Sequence, residues 1–93
     1  RNRFDGDAEG DIAHYSTRSQ RIIAAGIIEH LRTDAHVPSA RRKLLRPNLL
    51  APWELRLGEF RVFYAIEGGL MKVLAAGHKE HDVLYIRGEE VKL

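Results

Sequence analysis

The sequence predicts an α+β fold, an N-terminal helical hairpin packed on a small, mainly antiparallel β-sheet. Two observations carry that expectation. The first third of the chain repeats apolar residues at helical spacing, and Trp53 to Tyr85 alternates apolar and polar residues across two glycine turns. A length of 93 residues leaves room for one small domain spanning 1–93 and no second one.

Taken in order, Asn2–Phe4 reads as the tail of an edge strand. Asp7 to Tyr15 reads as a short helix, with Ala8, Ile12 and Tyr15 recurring at helical spacing. Asp5, Asp7 and Glu9 stand at its start, where the helix dipole favours acids. Thr17 with Gln20 fits a capping box for a second helix over Arg18 to Arg32. Ile23, Ile27 and Leu31 form its apolar stripe, widened by Ile22 and Ile28. Between Thr33 and Pro52 the periodicity dissolves, and Pro38, Pro47 and Pro52 withhold backbone donors. Leu44, Leu45, Leu49 and Leu50 in this stretch call for burial, so it reads as an ordered excursion.

Trp53–Leu57, Phe60–Glu67 and Leu70–His78 then read as strands. Gly58-Glu59 suits a type II′ hairpin turn and Gly68-Gly69 a type I′ turn. With two-residue turns, Leu57 faces Phe60, Leu55 faces Val62 and Trp53 faces Tyr64; Tyr64 then faces Val73, and Val62 faces Ala75. One face becomes apolar, from Trp53 through Val62 and Tyr64 to Val73 and Ala75. The other carries Glu54, Arg56, Arg61, Phe63, Lys72, Leu74, Ala76 and His78, with Ala76 beside Arg61. Arg56 and Arg61 become direct cross-strand neighbours, a pairing of like charges that costs up to roughly 1 kcal/mol. An anion seated between them would relieve it. Two side chains splaying into water, or one of them paired to Glu54, would relieve it as well.

The net charge of +2 is unevenly placed: residues 1–36 hold five Lys/Arg against six Asp/Glu, and residues 37–93 hold ten against seven. A basic second part suits a polyanionic partner. The absence of cysteine excludes disulfide, thiol-metal and thiol-redox chemistry and suits a reducing cytoplasm. No apolar run reaches membrane-spanning length and no signal-peptide pattern opens the chain, so no membrane is expected as a partner. The chain opens on Arg1 rather than Met, so a segment upstream is expected.

The segment from His78 to Tyr85, HKEHDVLY, follows within one or two turns of the third strand. Histidine titrates near neutrality, with an ordinary pKa of about 6.5. Lysine stabilises negative charge, and tyrosine orients a hydroxyl or stacks on a base. Ribonuclease chemistry needs such groups: the 2′-hydroxyl attacks the adjacent phosphorus, cations stabilise the crowded phosphate, and an acid protonates the leaving 5′-oxygen. One positioned donor is worth about 10²–10³ in rate, and a proton-transfer group about 10²–10⁴. Four or five such groups suffice, so neither a metal nor another cofactor is expected. His78-x-x-His81 with Asp82 lacks a further ligand at a convincing spacing. His14, His30 and His36 read as surface histidines. The run Arg41-Arg42-Lys43, with Arg46 beyond it, suits RNA backbone, an acidic partner, or a solvated loop.

The pattern W-E-L-R-L-G-E-F-R-V-F-Y, then V-L-A-A-G-H-K-E, then L-Y, resembles the RelE/ParE superfamily of type II toxin–antitoxin toxins, and its RelE-like branch most closely. The resemblance covers about residues 44–86. It implies a RelE-like fold of two N-terminal helices on a small antiparallel sheet. It also implies a toxin that cleaves mRNA in the ribosomal A site and is held inactive by a cognate antitoxin. Arg61 falls on the arginine that contacts the scissile phosphate, and Arg56 on a strand-borne basic residue. Lys79 falls where such toxins carry an arginine that stabilises the transition state, and Tyr85 matches their C-terminal tyrosine. Two positions depart from the pattern: Glu54 stands for a lysine and His81 for an arginine. The candidate catalytic residues are therefore Arg61, Lys79, His81 and Tyr85. The candidate RNA contacts are Arg56, Arg46, Arg41, Arg42, Lys43 and His78. The function so implied is a cytoplasmic, ribosome-dependent mRNA interferase, a metal-independent endoribonuclease. The alternatives are a ParE-like DNA gyrase inhibitor and a catalytically inactive antitoxin-binding module. The partners are a cognate antitoxin and ribosome-bound mRNA, and both a homodimer and a toxin–antitoxin hetero-oligomer remain open.

Overall fold

The alternating second half of the chain folds into one antiparallel sheet of six strands, joined in chain order β1 to β6. The computed structural model describes residues 3–93. Its elements are α1 (Arg3–Ala13), α2 (Thr17–Leu31), β1 (Arg42–Leu44), β2 (Trp53–Leu57), β3 (Phe60–Glu67), β4 (Leu70–Glu80), β5 (Val83–Ile86) and β6 (Glu89–Val91). Helix α1 packs mainly on β4, and α2 on β2 and β3. The architecture is α+β, as expected. Among the described residues no helix is long and apolar enough to cross a membrane.

The helices differ from expectation at their starts. Of the proposed edge strand, Asn2 lies outside the described residues, while Arg3 and Phe4 belong to α1. Helix α2 is capped one residue earlier than Thr17: the Ser16 hydroxyl accepts the Ser19 N–H at 3.2 Å. Gln20 turns back to donate its amide to the Tyr15 carbonyl at 2.9 Å. Ile23 and Leu31 are buried and Ile27 packs beside them, but Ile22 and Ile28 face solvent. The stripe is narrow because α2 lies close to the sheet at Gly26, where even a Cβ would collide with the Leu57 side chain.

Under the helices lies the main core, in which Ile23, Leu55, Val62 and Tyr64 are fully buried. Each such side chain contributes about 1.5–3 kcal/mol. The Tyr64 hydroxyl donates to the Ala35 carbonyl at 2.8 Å, which closes the polar end of that core.

The opposite face is not the bare floor that alternation suggests. Phe63, Ala75, Leu84 and Ala51 form a second buried cluster there, with Leu45, Leu50 and Leu74 against it. The 45–51 loop covers this face because Asn48 organises it. Its carbonyl oxygen accepts the Leu50 and Ala51 N–H groups, and its amide donates to the Arg46 and Ala51 carbonyls. Of the four leucines expected to be buried, Leu44 and Leu49 are exposed.

Register in the first hairpin follows the turn: Trp53 opposes Tyr64, Leu55 opposes Val62 and Arg56 opposes Arg61. Between Phe63 and Tyr64 the next pairing shifts by one residue. Tyr64 still opposes Val73, but Val62 opposes Ala76 rather than Ala75, and Gly77 rather than Ala76 sits beside Arg61. An extra residue in one strand exchanges the faces of everything beyond it. Ala75 thus joins the second cluster and His78 turns to the helix side.

The chain beyond His78 is also more regular than expected. Strand β4 continues to Glu80, and β5 and β6 complete the sheet. His81 and Asp82 turn the chain with φ of 51° and 66°, the left-handed pair a type I′ turn requires.

Candidate functional site

Three arginines fall in one row across three adjacent chain segments. Arg56 opposes Arg61 across β2 and β3, and the Arg56 N–H donates to the Arg41 carbonyl at 2.9 Å just before β1. Each charge takes a nearby partner. Arg56 Nε lies 3.0 Å from Oε1 of Glu54, a carboxylate that is itself buried. Arg61 folds back and donates from one terminal nitrogen to the carbonyls of Gly58 at 2.6 Å and Phe60 at 2.9 Å. Its Nε is buried and has no hydrogen-bond partner. Leaving such a donor unpaired costs on the order of 1–3 kcal/mol.

Alternation along β4 puts Lys79 on this same face, since Lys79 opposes Leu84 of the second cluster. Its backbone N–H donates to the Glu59 carbonyl at 2.9 Å, which ties it to the β2–β3 turn. Lys43 opposes Glu54 in the neighbouring row and is exposed. Arg41, Arg56, Arg61, Lys43 and Lys79 thus share one face with a buried carboxylate, Glu54.

The other candidates are placed differently. His78 and Tyr85 oppose each other on the helix face, their rings stacked at 5.6 Å and 23°. His81 sits exposed in the β4–β5 turn. Arg42 serves the fold, donating to the carbonyls of Val37 at 2.8 Å and His30 at 3.0 Å near the end of α2. Arg46 is exposed on the 45–51 loop. The expected single cationic floor is therefore split. Arg56, Arg61 and Lys79 share one face, His78 and Tyr85 share the other, and the two sets meet only around the end of the sheet that bears the Gly58–Glu59 and His81–Asp82 turns. The bulge is the physical cause.

On the helix face the structure assembles a cluster that sequence reasoning missed. The Tyr15 hydroxyl lies 2.6 Å from His78 Nδ1, and His78 Nε2 lies 3.2 Å from Glu80 Oε1. Burial, followed by the negative charges of Asp11, Glu59 and Glu80, pushes the Tyr15 phenol up to about 12. One turn earlier, buried Asp11 accepts from Arg87 Nε at 2.7 Å and from the Ala76 backbone N–H at 3.1 Å. The Tyr15–His78 bond and both Asp11 bonds span more than sixty residues, so no local motif announces them. Among the described residues no three His, Cys, Asp or Glu side chains converge as a bound metal would require.

A cleft of about 540 Å³ runs between α2 and the β2–β3 turn, lined by Ile22, Ala25, Gly26, Leu57 and Phe60 with Arg41 at its rim.

No family model, curated protein or solved structure matches this chain.

Proposed function

We propose that this chain is the toxin of a type II toxin–antitoxin system with a RelE-like fold, acting as a ribosome-dependent mRNA endonuclease. The observation that carries the reading is the Arg56–Arg61 pairing, with a buried, unpartnered Nε on Arg61. Two arginines at directly opposed strand positions, one holding an unused donor, suit a phosphate better than water once their side chains turn to it. Lys79 on the same face adds a third cation. In this reading Arg61 and Lys79 stabilise the phosphate as the 2′-oxygen bonds to phosphorus and the bond to the 5′-oxygen breaks. The 2′-hydroxyl proton leaves to a base, and the 5′-oxygen gains one from an acid. Exposed His81, in the adjoining turn, is free to serve as either. The cleft beside α2, apolar along Ile22, Ala25, Leu57 and Phe60 and flanked by Glu29, Arg41 and Glu59, supports an amphipathic partner helix from a cognate antitoxin.

One observation favours a second reading, a ParE-like inhibitor of a topoisomerase that works by binding alone. Glu54 already neutralises Arg56, and Tyr85 lies on the helix face, away from Arg61. The two readings separate on induction of wild type and Arg61→Ala in cells, with transcript ends mapped against reading frame. Cleavage phased to codons in wild type and lost in Arg61→Ala supports the endonuclease. Intact transcripts with a DNA-damage response support the inhibitor, and equal cleavage by both chains defeats the assigned site.

A further inference from the structure

We infer that Tyr15 is a positioning residue that holds His78 with its proton on Nε2, and that this N–H is a second RNA contact, a donor to the phosphate of a nucleotide flanking the one held by Arg61. The inference rests on the endonuclease reading for the identity of the ligand. The geometry that motivates it does not.

A neutral imidazole donates from one ring nitrogen and accepts at the other. The Glu80 carboxylate, 3.2 Å from Nε2, can only accept, so the ring proton sits on Nε2. Nδ1 of the neutral ring is then the acceptor, and the Tyr15 phenol 2.6 Å away donates to it, which keeps that tautomer when Glu80 leaves. Ring orientation is fixed from two sides. Tyr15 meets His78 edge-on at 5.5 Å and 82°, and Tyr85 stacks against it at 5.6 Å and 23°. Tyr15 is in turn held edge-on against Phe60 at 5.4 Å. Such bracing goes beyond what a solvated surface histidine needs.

The partner at Nε2 is the replaceable one. The Glu80 side chain is 65% exposed whereas that of His78 is 16% exposed, so Glu80 can swing into water while the imidazole stays. An exposed pair of this kind contributes little. A phosphate oxygen arriving there takes the carboxylate's place on a donor that needs no reorganisation. His78 opposes Phe60, the residue before Arg61, but on the other face of the sheet. A single RNA strand passing round the Gly58–Glu59 end therefore meets Arg61 on one side and His78 on the other.

The test uses the full chain. Nitrogen-15 spectra of the histidines report the His78 tautomer, and a short single-stranded RNA at low salt reports affinity. Wild type should carry the His78 proton on Nε2, and Tyr15→Phe, which keeps the ring contacts, should give a mixed tautomer. Tyr15→Phe and His78→Ala should each weaken RNA binding by roughly 3- to 10-fold, the net worth of one hydrogen bond made at the water-accessible end of the sheet. His78→Gln, which returns an amide N–H near the Nε2 position, should recover most of the loss. Thermal unfolding confirms that each variant folds. A wild-type proton on Nδ1, or Tyr15→Phe with unchanged tautomer and affinity, overturns the inference. If wild type binds RNA with these effects but cleaves no transcript on ribosomes, the endonuclease reading fails and the second contact stands. If transcripts are cleaved, Arg61→Ala is inactive, and the Tyr15 and His78 variants bind RNA as wild type does, the second contact alone fails.

Discussion

At the Gly58–Glu59 end, the two faces of the sheet satisfy their polar groups over different distances in the chain. On the arginine face the partners are near neighbours: Arg56 bonds Glu54 two residues away, and Arg61 bonds the carbonyls of Gly58 and Phe60. On the helix face they are remote: Asp11 to Ala76 and Arg87, Tyr15 to His78, Tyr64 to Ala35. A bond between near neighbours orders little additional chain and is given up cheaply to a ligand. A bond across the chain holds α1 on β4 or the 31–35 turn on the core, and losing it loosens the fold. Apart from the near-neighbour His78–Glu80 contact at the sheet's end, one face is thus built to exchange partners and the other to keep them.

The largest expected effect breaks function on the arginine face while sparing stability. On the endonuclease reading, Arg61→Ala should cut RNA cleavage by about 10²–10³, the usual worth of one positioned donor to a developing negative charge. Its hydrogen bonds to the exposed Gly58 carbonyl and the part-buried Phe60 carbonyl lie at the turn end of the sheet, so the unfolding free energy should fall by no more than about 1 kcal/mol. Single-turnover cleavage in a translating extract, set beside urea unfolding, checks both halves. A variant that loses stability and activity together would erase the contrast between the faces.

Asp11→Ala should do the reverse. It leaves the buried Ala76 N–H without its acceptor and deprives Arg87 of a carboxylate, so a loss of roughly 2–4 kcal/mol is expected. The urea midpoint should drop sharply. The rate of cleavage per folded molecule, measured below the transition, should stay close to wild type.

The same division decides what could be read from the sequence. Arg56 opposite Arg61 was legible because Gly58 fixes the hairpin and the strands alternate cleanly from Trp53 to Tyr64. Past that point Ala75, Ala76 and Gly77 interrupt the pattern. Side chains this small fit either face, so alternation carries no phase through them, and the bulge that returns His78 to the helix side has no local signature. The Tyr15–His78 contact depends on that bulge and was illegible for the same reason. Strands β5 and β6 were hidden differently. His81 and Asp82 make a left-handed turn without glycine, so the usual hairpin signal is absent there, although Arg87-Gly88 at the next turn carries one.

Alkaline pH probes the helix face through a milder effect. Tyrosine ordinarily titrates near 10. Burial, against the opposing pull of Arg42, pushes the Tyr64 phenol up to about 12, and Tyr15 is pushed up to about 12 as well. The folded chain therefore keeps protons that the unfolded chain releases. Stability from these groups is complete below pH 10 and is lost as pH rises through 12. Tyr64→Phe should cost about 1–2 kcal/mol at neutral pH, since the buried Ala35 carbonyl loses its donor. It should also flatten the decline of the unfolding midpoint between pH 10 and 12. An unchanged slope in that window would place the alkaline sensitivity elsewhere.

The smallest expected effect concerns Glu54, the buried carboxylate within the arginine face. If bonds between near neighbours are exchangeable, Glu54 competes with any phosphate for Arg56, and it opposes anions arriving at Arg61 or Lys43 beside it. Glu54→Gln keeps an acceptor oxygen for Arg56 Nε but removes the negative charge. The weaker neutral bond should lower stability by about 1 kcal/mol or less. Affinity for a single-stranded RNA should instead rise by roughly 3- to 5-fold at low salt. With Arg56 released to phosphate, binding should also depend more steeply on salt, by up to about 0.7 in the slope of log affinity against log salt. Stability and affinity then move in opposite directions from one substitution, which no long-range partner on the helix face should reproduce. A loss of RNA affinity in Glu54→Gln would mean that the carboxylate orients Arg56 rather than competing for it, and that this face, too, is built to keep its partners.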